Sequence, residues 1–282
     1  MSAAFAWVTL LTQPDYLTGV AALQRSLRDS GSPWPLVVMV TETIDDNTRQ
    51  QLQALGCTVR EVPIIGPDPS LANRYANARF ADVWSKLAVW TLTEYQRVAF
   101  LDADMLVIQN MDEVFELPLP AGMIAACHAC RCNPNHIASY PPAWRPENCY
   151  YSWCEDAQMH ANPPAGLDNY LNGGFLLLTP DIAQYRQMMT QLAQKADISA
   201  YVFAEQDFLN EIFRDRWLPL HYGYNALKTL PYQHKKMWDL ARVKNIHYII
   251  DNPWDKRPEP GDKDYQLYCL WRERAGIDAP GA

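Results

Sequence analysis

Between residues 5 and 101 the apolar pattern of the chain switches repeatedly between strand-like runs and helical spacing, and that alternation restricts the fold more than any other feature. Apolar runs over 5–11, 36–41 and up to Leu101 read as strands, with a further strand over 57–63. Between them, Leu17, Val20, Ala21, Leu23 and Leu27 recur at helical spacing over 16–29, before Gly31. A second helix start at Thr43 and Asp46 carries on to Leu55 and closes at Gly56, and a third helix is predicted over 80–95. Strands this continuously apolar must be covered on both faces, as in a parallel sheet with crossover helices. The expected class is therefore α/β, with a Rossmann-like, mostly parallel sheet flanked by helices. A chain of 282 residues that is 49% hydrophobic and 12% aromatic has the apolar mass to fill a core on both sides of such a sheet. The turn after the first strand is Thr12-Gln13-Pro14-Asp15, not the glycine-rich loop that binds a dinucleotide, so a dehydrogenase is poorly supported.

The fourth strand, Arg97-Val98-Ala99-Phe100-Leu101, breaks into Asp102-Ala103-Asp104 at its carboxyl end, the edge where open α/β sheets collect ligands. Acids at i and i+2 lie on one side of an extended backbone and can share a cation. Hard carboxylate oxygens suit Mg or Mn, which in turn suit a pyrophosphate. The three residues alone also fit a turn or a helix cap. Downstream, a short helix over 112–117 and a strand over 123–127 precede a stretch, 128–170, rich in Pro, Cys, Tyr, Trp and Asn, whose lack of period points to a binding loop. A strand over 172–178 opens with Gly173-Gly174, which let another group approach the backbone closely. Helices are expected over 180–195 and from 203, a strand over 243–250 carrying His247, and a peripheral tail beyond Pro258.

A net charge of −8 and a pI near 5.2 argue against a nucleic-acid or anionic-membrane partner. There is no basic leader before the first strand and no apolar stretch long enough to span a bilayer, so a cytoplasmic setting is expected. Of the seven cysteines, Cys127, Cys130, Cys132, Cys149 and Cys154 crowd one region beside His128 and His136. They read either as a zinc site or as free thiols, the spacing departing from the usual paired knuckles; disulfides are disfavoured in a reducing compartment. Lys86 lies in an apolar segment between Trp84 and Leu87, where an unpaired ammonium would be costly, so it is expected to have a partner.

Several segments together resemble glycosyltransferase family 8, which includes glycogenins and galactinol synthases: Trp7-Val8-Thr9-Leu10-Leu11-Thr12, Lys86 in Trp84-Ser85-Lys86-Leu87-Ala88-Val89-Trp90, Asp102-Ala103-Asp104, Leu171-Asn172-Gly173-Gly174, and His247 followed by Pro253-Trp254. The resemblance covers about 5–256. The stretch 203–210 and the Cys-rich insert are most similar to galactinol synthases. The resemblance implies a GT-A fold over 1–258 with 128–170 as an acceptor-side insert and 259–282 as a tail. It implies retaining transfer of a hexose from a UDP-sugar, dependent on Mn, with Mg as the alternative cation.

On the same resemblance Asp102, Asp104 and His247 hold the metal. Lys86, Asn172, Glu205 and Gln206 form the catalytic group, with Gln206 positioning the reacting centre and Glu205 standing where many relatives have Asp. Leu10, Leu11, Thr12 and Tyr16 surround uracil and ribose, and Ala103, Gly173, Trp254 and Lys256 complete the donor contacts. The chain departs from the family at Asn252-Pro253-Trp254, where a lysine commonly meets the diphosphate; Lys256 or Arg257 is left to compensate. The expected partners are a UDP-sugar and a small polyol or saccharide acceptor, myo-inositol with UDP-galactose being the specific reading; a homodimer is left open. Two alternatives stand beside it: a self-glucosylating protein modifying Tyr140, Tyr150, Tyr151 or Tyr201, and a catalytically weak UDP-sugar-binding protein.

Overall fold

The computed structural model describes residues 4–71, 73–154, 167 and 169–277. The first half runs β1 (Phe5–Leu11), α1 (Leu17–Asp29), β2 (Leu36–Val40), α2 (Asp46–Ala54), β3 (Thr58–Glu61), β4 (Arg97–Leu101), β5 (Met105–Val107) and β6 (Ile124–His128). It is followed by α3 (Tyr150–Cys154), β7 (Leu171–Leu178), α4 (Ile182–Ala193), α5 (Glu205–Ile212) and β8 (Trp217–Pro219). The last elements are β9 (Ala226–Leu227), α6 (Leu230–Gln233), β10 (Asn245–His247) and α7 (Tyr265–Ala275).

Among the described residues seven strands form the main sheet in the order β3-β2-β1-β4-β7-β6-β8. The pairs β1–β2, β2–β3, β1–β4 and β6–β8 are parallel, and β7 runs antiparallel to both β4 and β6. Successive side chains along each strand point to opposite faces of the sheet, as the pleat requires. Ala6, Val8, Val37, Met39, Val98 and Phe100 enter one core with the Trp84–Trp90 segment and α5. Trp7, Leu11, Leu36, Val38, Val40, Ala99 and Leu101 enter the other with α1. Both faces of β1, β2 and β4 are covered, which is why these strands read as unbroken apolar runs, whereas the edge strand β3 is largely exposed. A second sheet, β5-β10-β9, branches from the carboxyl end of β4 through the Asp102–Asp104 turn.

Three elements differ from the sequence expectations. Residues 80–95 form 3-10 turns, Ala78–Ala81 and Val83–Thr91, rather than an α-helix. Every side chain from Trp84 to Trp90 is buried, and Ser85 Oγ is committed to tertiary bonds, donating to Pro63 O and accepting from Ile65 N–H; packing here overrides helical propensity. The strand expected over 243–250 shortens to β10, because Tyr248 N–H bonds Asp104 O and the chain turns at Ile250, φ 79°. The tail beyond Pro258 is not peripheral: α7 buries Leu267, Tyr268 and Trp271 and packs on α1. Of the insert, 155–166 and 168 lie outside the described residues; the remainder holds a 3-10 turn, Pro146–Asn148, and α3. No helix among the described residues is long and apolar enough to cross a membrane.

Candidate active site and metal centre

The carboxyl ends of β1 and β4, the start of β7 and the end of β10 open into a cavity of about 450 Å³. Asp102, Asp104 and His247 converge at its floor, their ligating atoms all within 4.8 Å of one another. His247 Nε2 lies 3.2 Å from Asp104 Oδ1 and 3.7 Å from Asp102 Oδ2. Adjacent ligands of an octahedron with ~2.1 Å bonds stand about 3.0 Å apart, so the spacing suits a small divalent ion.

The protonation pattern around the histidine supports the same reading. The fully buried Asn225 donates Nδ2–H to Asn172 Oδ1 at 2.8 Å, so its own Oδ1 faces His247 Nδ1, also at 2.8 Å. A carbonyl oxygen there requires Nδ1–H, which leaves the Nε2 lone pair aimed at two carboxylates. A cation between them turns repulsion into coordination. The close approach of ring and strand depends on Gly174, since a Cβ at that position would collide with the imidazole and touch Asn172 Oδ1.

Beside the triad, Lys86 is 3% exposed and spends its three N–H groups on Glu205 Oε1 at 2.8 Å, Asp102 Oδ1 at 3.0 Å and Gly173 O at 3.1 Å. Its Nζ also lies over the Phe100 ring, 5.0 Å from the centroid. Burial alone would lower its pKa; the two carboxylates outweigh burial and raise it. Glu205 is raised by its own burial, offset in part by Lys86. The partner expected for Lys86 is thus a pair of acids.

Glu205 and Gln206 open α5 behind Ala204, a non-glycine residue at φ 47°. A left-handed alanine is costly, and it persists here where the helix must start facing the sheet. Gln206 accepts from Gly173 N–H at 2.9 Å and donates to Tyr170 OH at 3.1 Å; one turn on, Asn210 accepts from Leu171 N–H and donates to Leu171 O. Side chains of α5 therefore stand in for a neighbouring strand along the start of β7. Asn172 accepts from both Gly174 N–H and Asn225 through Oδ1, which leaves its Nδ2 end for a ligand in the cavity.

Of the other residues singled out by sequence, Leu10, Thr12, Tyr16, Ala103 and Gly173 line the cavity. Three do not. Leu11 is fully buried in the core on the opposite face of β1, one residue out of phase with Leu10. Trp254 packs edge-on against Tyr16 and tilted against Trp271. Lys256 pairs with Asp262 at 3.4 Å and lies over Tyr268. Tyr140 lines the cavity, whereas Tyr150 and Tyr151 are buried in the cysteine region and Tyr201 donates to Glu211.

Sequence reading missed Asn225, which nothing local distinguishes, and Arg79. The Arg79 guanidinium lines the cavity mouth, donating to Tyr16 OH at 2.9 Å, Asn252 Oδ1 at 3.3 Å and Ile250 O at 2.6 Å. It brings a fixed positive charge to the segment where the family lysine is replaced by Asn252. An aromatic wall was also missed: Trp144 stacks on Phe203 at 4.3 Å, and Tyr140 meets the same ring edge-on at 4.9 Å. Only the aromatic content of 128–170 hinted at it.

Residues 7–257 match the family described as glycosyl transferase family 8. The chain is 32% identical over 257 residues to galactinol synthase 2 of Arabidopsis thaliana, spanning 88% of this chain and 73% of that protein. It is likewise 32% identical over 257 residues to galactinol synthase 2 of Solanum lycopersicum, spanning 88% and 72%. Among solved structures, the bifunctional glycosyltransferase WbbM superposes with a TM-score of 0.66 at 18% identity, covering 99% of this chain and 50% of that one. The galactosyltransferase LgtC, solved with donor and acceptor sugar analogues, gives 0.57 at 16% identity, covering 98% of each chain. At those identities the structural likeness speaks for the fold, which is GT-A.

Proposed function

This chain belongs to glycosyltransferase family 8, and from that premise we propose that it is a Mn-dependent, retaining hexosyltransferase that uses a UDP-sugar and a small polyol. UDP-galactose and myo-inositol are the specific pair, a reading supported by the names of the galactinol synthases it resembles. The observation that carries the proposal is the Asp102, Asp104 and His247 triad in one cavity with the Lys86–Glu205 pair. A cytoplasmic setting is part of the same proposal.

In this reading Asp102, Asp104 and His247 would hold a divalent cation, which would supply positive charge against the departing diphosphate. Arg79 supplies a charge-assisted contact to that diphosphate in place of the missing lysine. Leu10, Thr12 and Tyr16 take the nucleoside, and Asn172 donates to the sugar. Glu205 is bound to Lys86 and Gln206 to the Gly173 peptide, so neither is a free nucleophile. That favours departure and attack on one face. The acceptor oxygen bonds the anomeric carbon, the carbon–oxygen bond to the diphosphate breaks, and the hydroxyl proton passes to the leaving phosphate oxygen. Trp144, Phe203 and Tyr140 offer the acceptor an apolar wall.

The test is UDP release from UDP-galactose and UDP-glucose, with and without Mn and myo-inositol, followed by the anomeric configuration of the product. An α-linked galactoside formed only with Mn and the polyol is expected. No release above that of Asp104→Asn across donors and acceptors would refute transferase activity, and an inverted product would refute the one-face route.

A further inference from the structure

Away from the cavity, Cys130, Cys132, Cys149 and His234 meet in the core around the small sheet, all four buried. His234 Nε2 lies 3.3 Å from Cys130 Sγ, 3.3 Å from Cys132 Sγ and 3.8 Å from Cys149 Sγ. All four ligating atoms fall within 4.8 Å of one another. A tetrahedron built with Zn–S of ~2.3 Å and Zn–N of ~2.05 Å has S···N edges of about 3.6 Å and S···S edges of about 3.8 Å. We propose that these residues form a closed Cys3His zinc site, distinct from the Asp102, Asp104 and His247 centre.

The donor set selects the metal. Three soft thiolates and one imidazole suit zinc, whereas the oxygen-rich triad in the cavity suits Mg or Mn. Four protein ligands leave no open position, so the role is structural. Binding displaces one proton from each thiol to solvent. The histidine is neither His128 nor His136. His128 stacks on Tyr150 with ring centroids 3.3 Å apart and bonds Asn169, and His234 arrives from 85 residues beyond Cys149, at the end of α6. Cys127 bonds His221 O, and Cys127 and Cys154 stand outside the ligand set.

The placement gives the site a purpose. Cys130, Cys132 and Cys149 bracket the stretch that carries Tyr140 and Trp144, and His234 follows α6, which continues from β9 beside β10 and its His247. A zinc ion there ties the aromatic wall to the sheet that holds the cavity triad, and this purpose does not require the proposed sugar or acceptor.

Elemental analysis and cobalt substitution of the full chain test it. Protein from zinc-supplemented growth is expected to keep about one zinc per chain after dialysis against a weak chelator, and an organomercurial should release it. Cys132→Ser and His234→Ala are expected to lose the metal, while Cys154→Ser and Asp104→Asn retain it. The wild-type chain loaded with cobalt should show thiolate charge-transfer bands and the intense visible bands of tetrahedral coordination, a readout that needs no variant to fold. Zinc below about a tenth of an equivalent in wild-type protein would overturn the proposal. So would zinc unaffected by Cys132→Ser, or an octahedral cobalt spectrum.

Discussion

Replacing Lys86 by methionine removes a buried cation while keeping most of the volume between Trp84 and Phe100. The ammonium answers Glu205, Asp102 and Gly173 O, and Glu205 is only 5% exposed, so water cannot replace the lost partner. Removing one member of a buried ion pair costs about 3–5 kcal/mol because the other charge is left behind. At about 2 °C per kcal/mol for a chain of this size, melting should fall by about 6–10 °C. Glu205→Gln alone leaves Lys86 with Asp102 and Gly173 O and should cost less. The double variant should recover a large part of the loss, giving a coupling energy above about 1 kcal/mol. Denaturant unfolding of all four proteins in EDTA measures this without metal stabilisation. A Lys86→Met protein that melts within about 2 °C of wild type, or strictly additive single variants, would refute the claim that Lys86 balances a buried charge.

Gly174→Ala forces a methyl against the His247 ring, so stability should fall by about 1–3 kcal/mol and Mn affinity by about tenfold or more, read by calorimetry. Arg79→Ala should weaken UDP binding by about 10–100-fold, with Arg79→Lys intermediate, in equilibrium titrations; unchanged affinity would remove Arg79 from the diphosphate site. Burial raises the Cys57 thiol to about 12. The unfolded thiol loses its proton first, so the stability this group contributes is intact below about pH 9 and declines by up to about 1.4 kcal/mol per unit as pH rises toward the folded value. Cys57→Ala should therefore flatten the alkaline limb of unfolding free energy against pH.

Much of the frame was legible from sequence because period and burial are local quantities. The runs at 5–11, 36–41 and up to Leu101 are continuous because opposite faces of each strand enter different cores. The acids ending β4 sit at the ligand-collecting edge for the same topological reason. Leu11 shows the limit: it is next to Leu10, yet the pleat turns it to the opposite face, and only the register of β1 decides which residue sees the cavity. The same limit appears at 80–95, where a helix is expected but the complete burial of Trp84 to Trp90 and the tertiary bonds of Ser85 impose 3-10 turns.

The sequence by itself determined the α/β class, the carboxylate pair and the need of Lys86 for a partner. Tertiary structure alone decided that the partners are Glu205, 119 residues away, and Asp102, and that Asn225 sets the tautomer of His247. It alone brought Arg79 to Asn252, buried Trp271 of α7, and set His234 rather than a nearer histidine among three cysteines. The reason is physical: periodicity reports which face of an element is dry, whereas contacts across a hundred residues depend on how those faces stack, and no window of sequence carries that geometry.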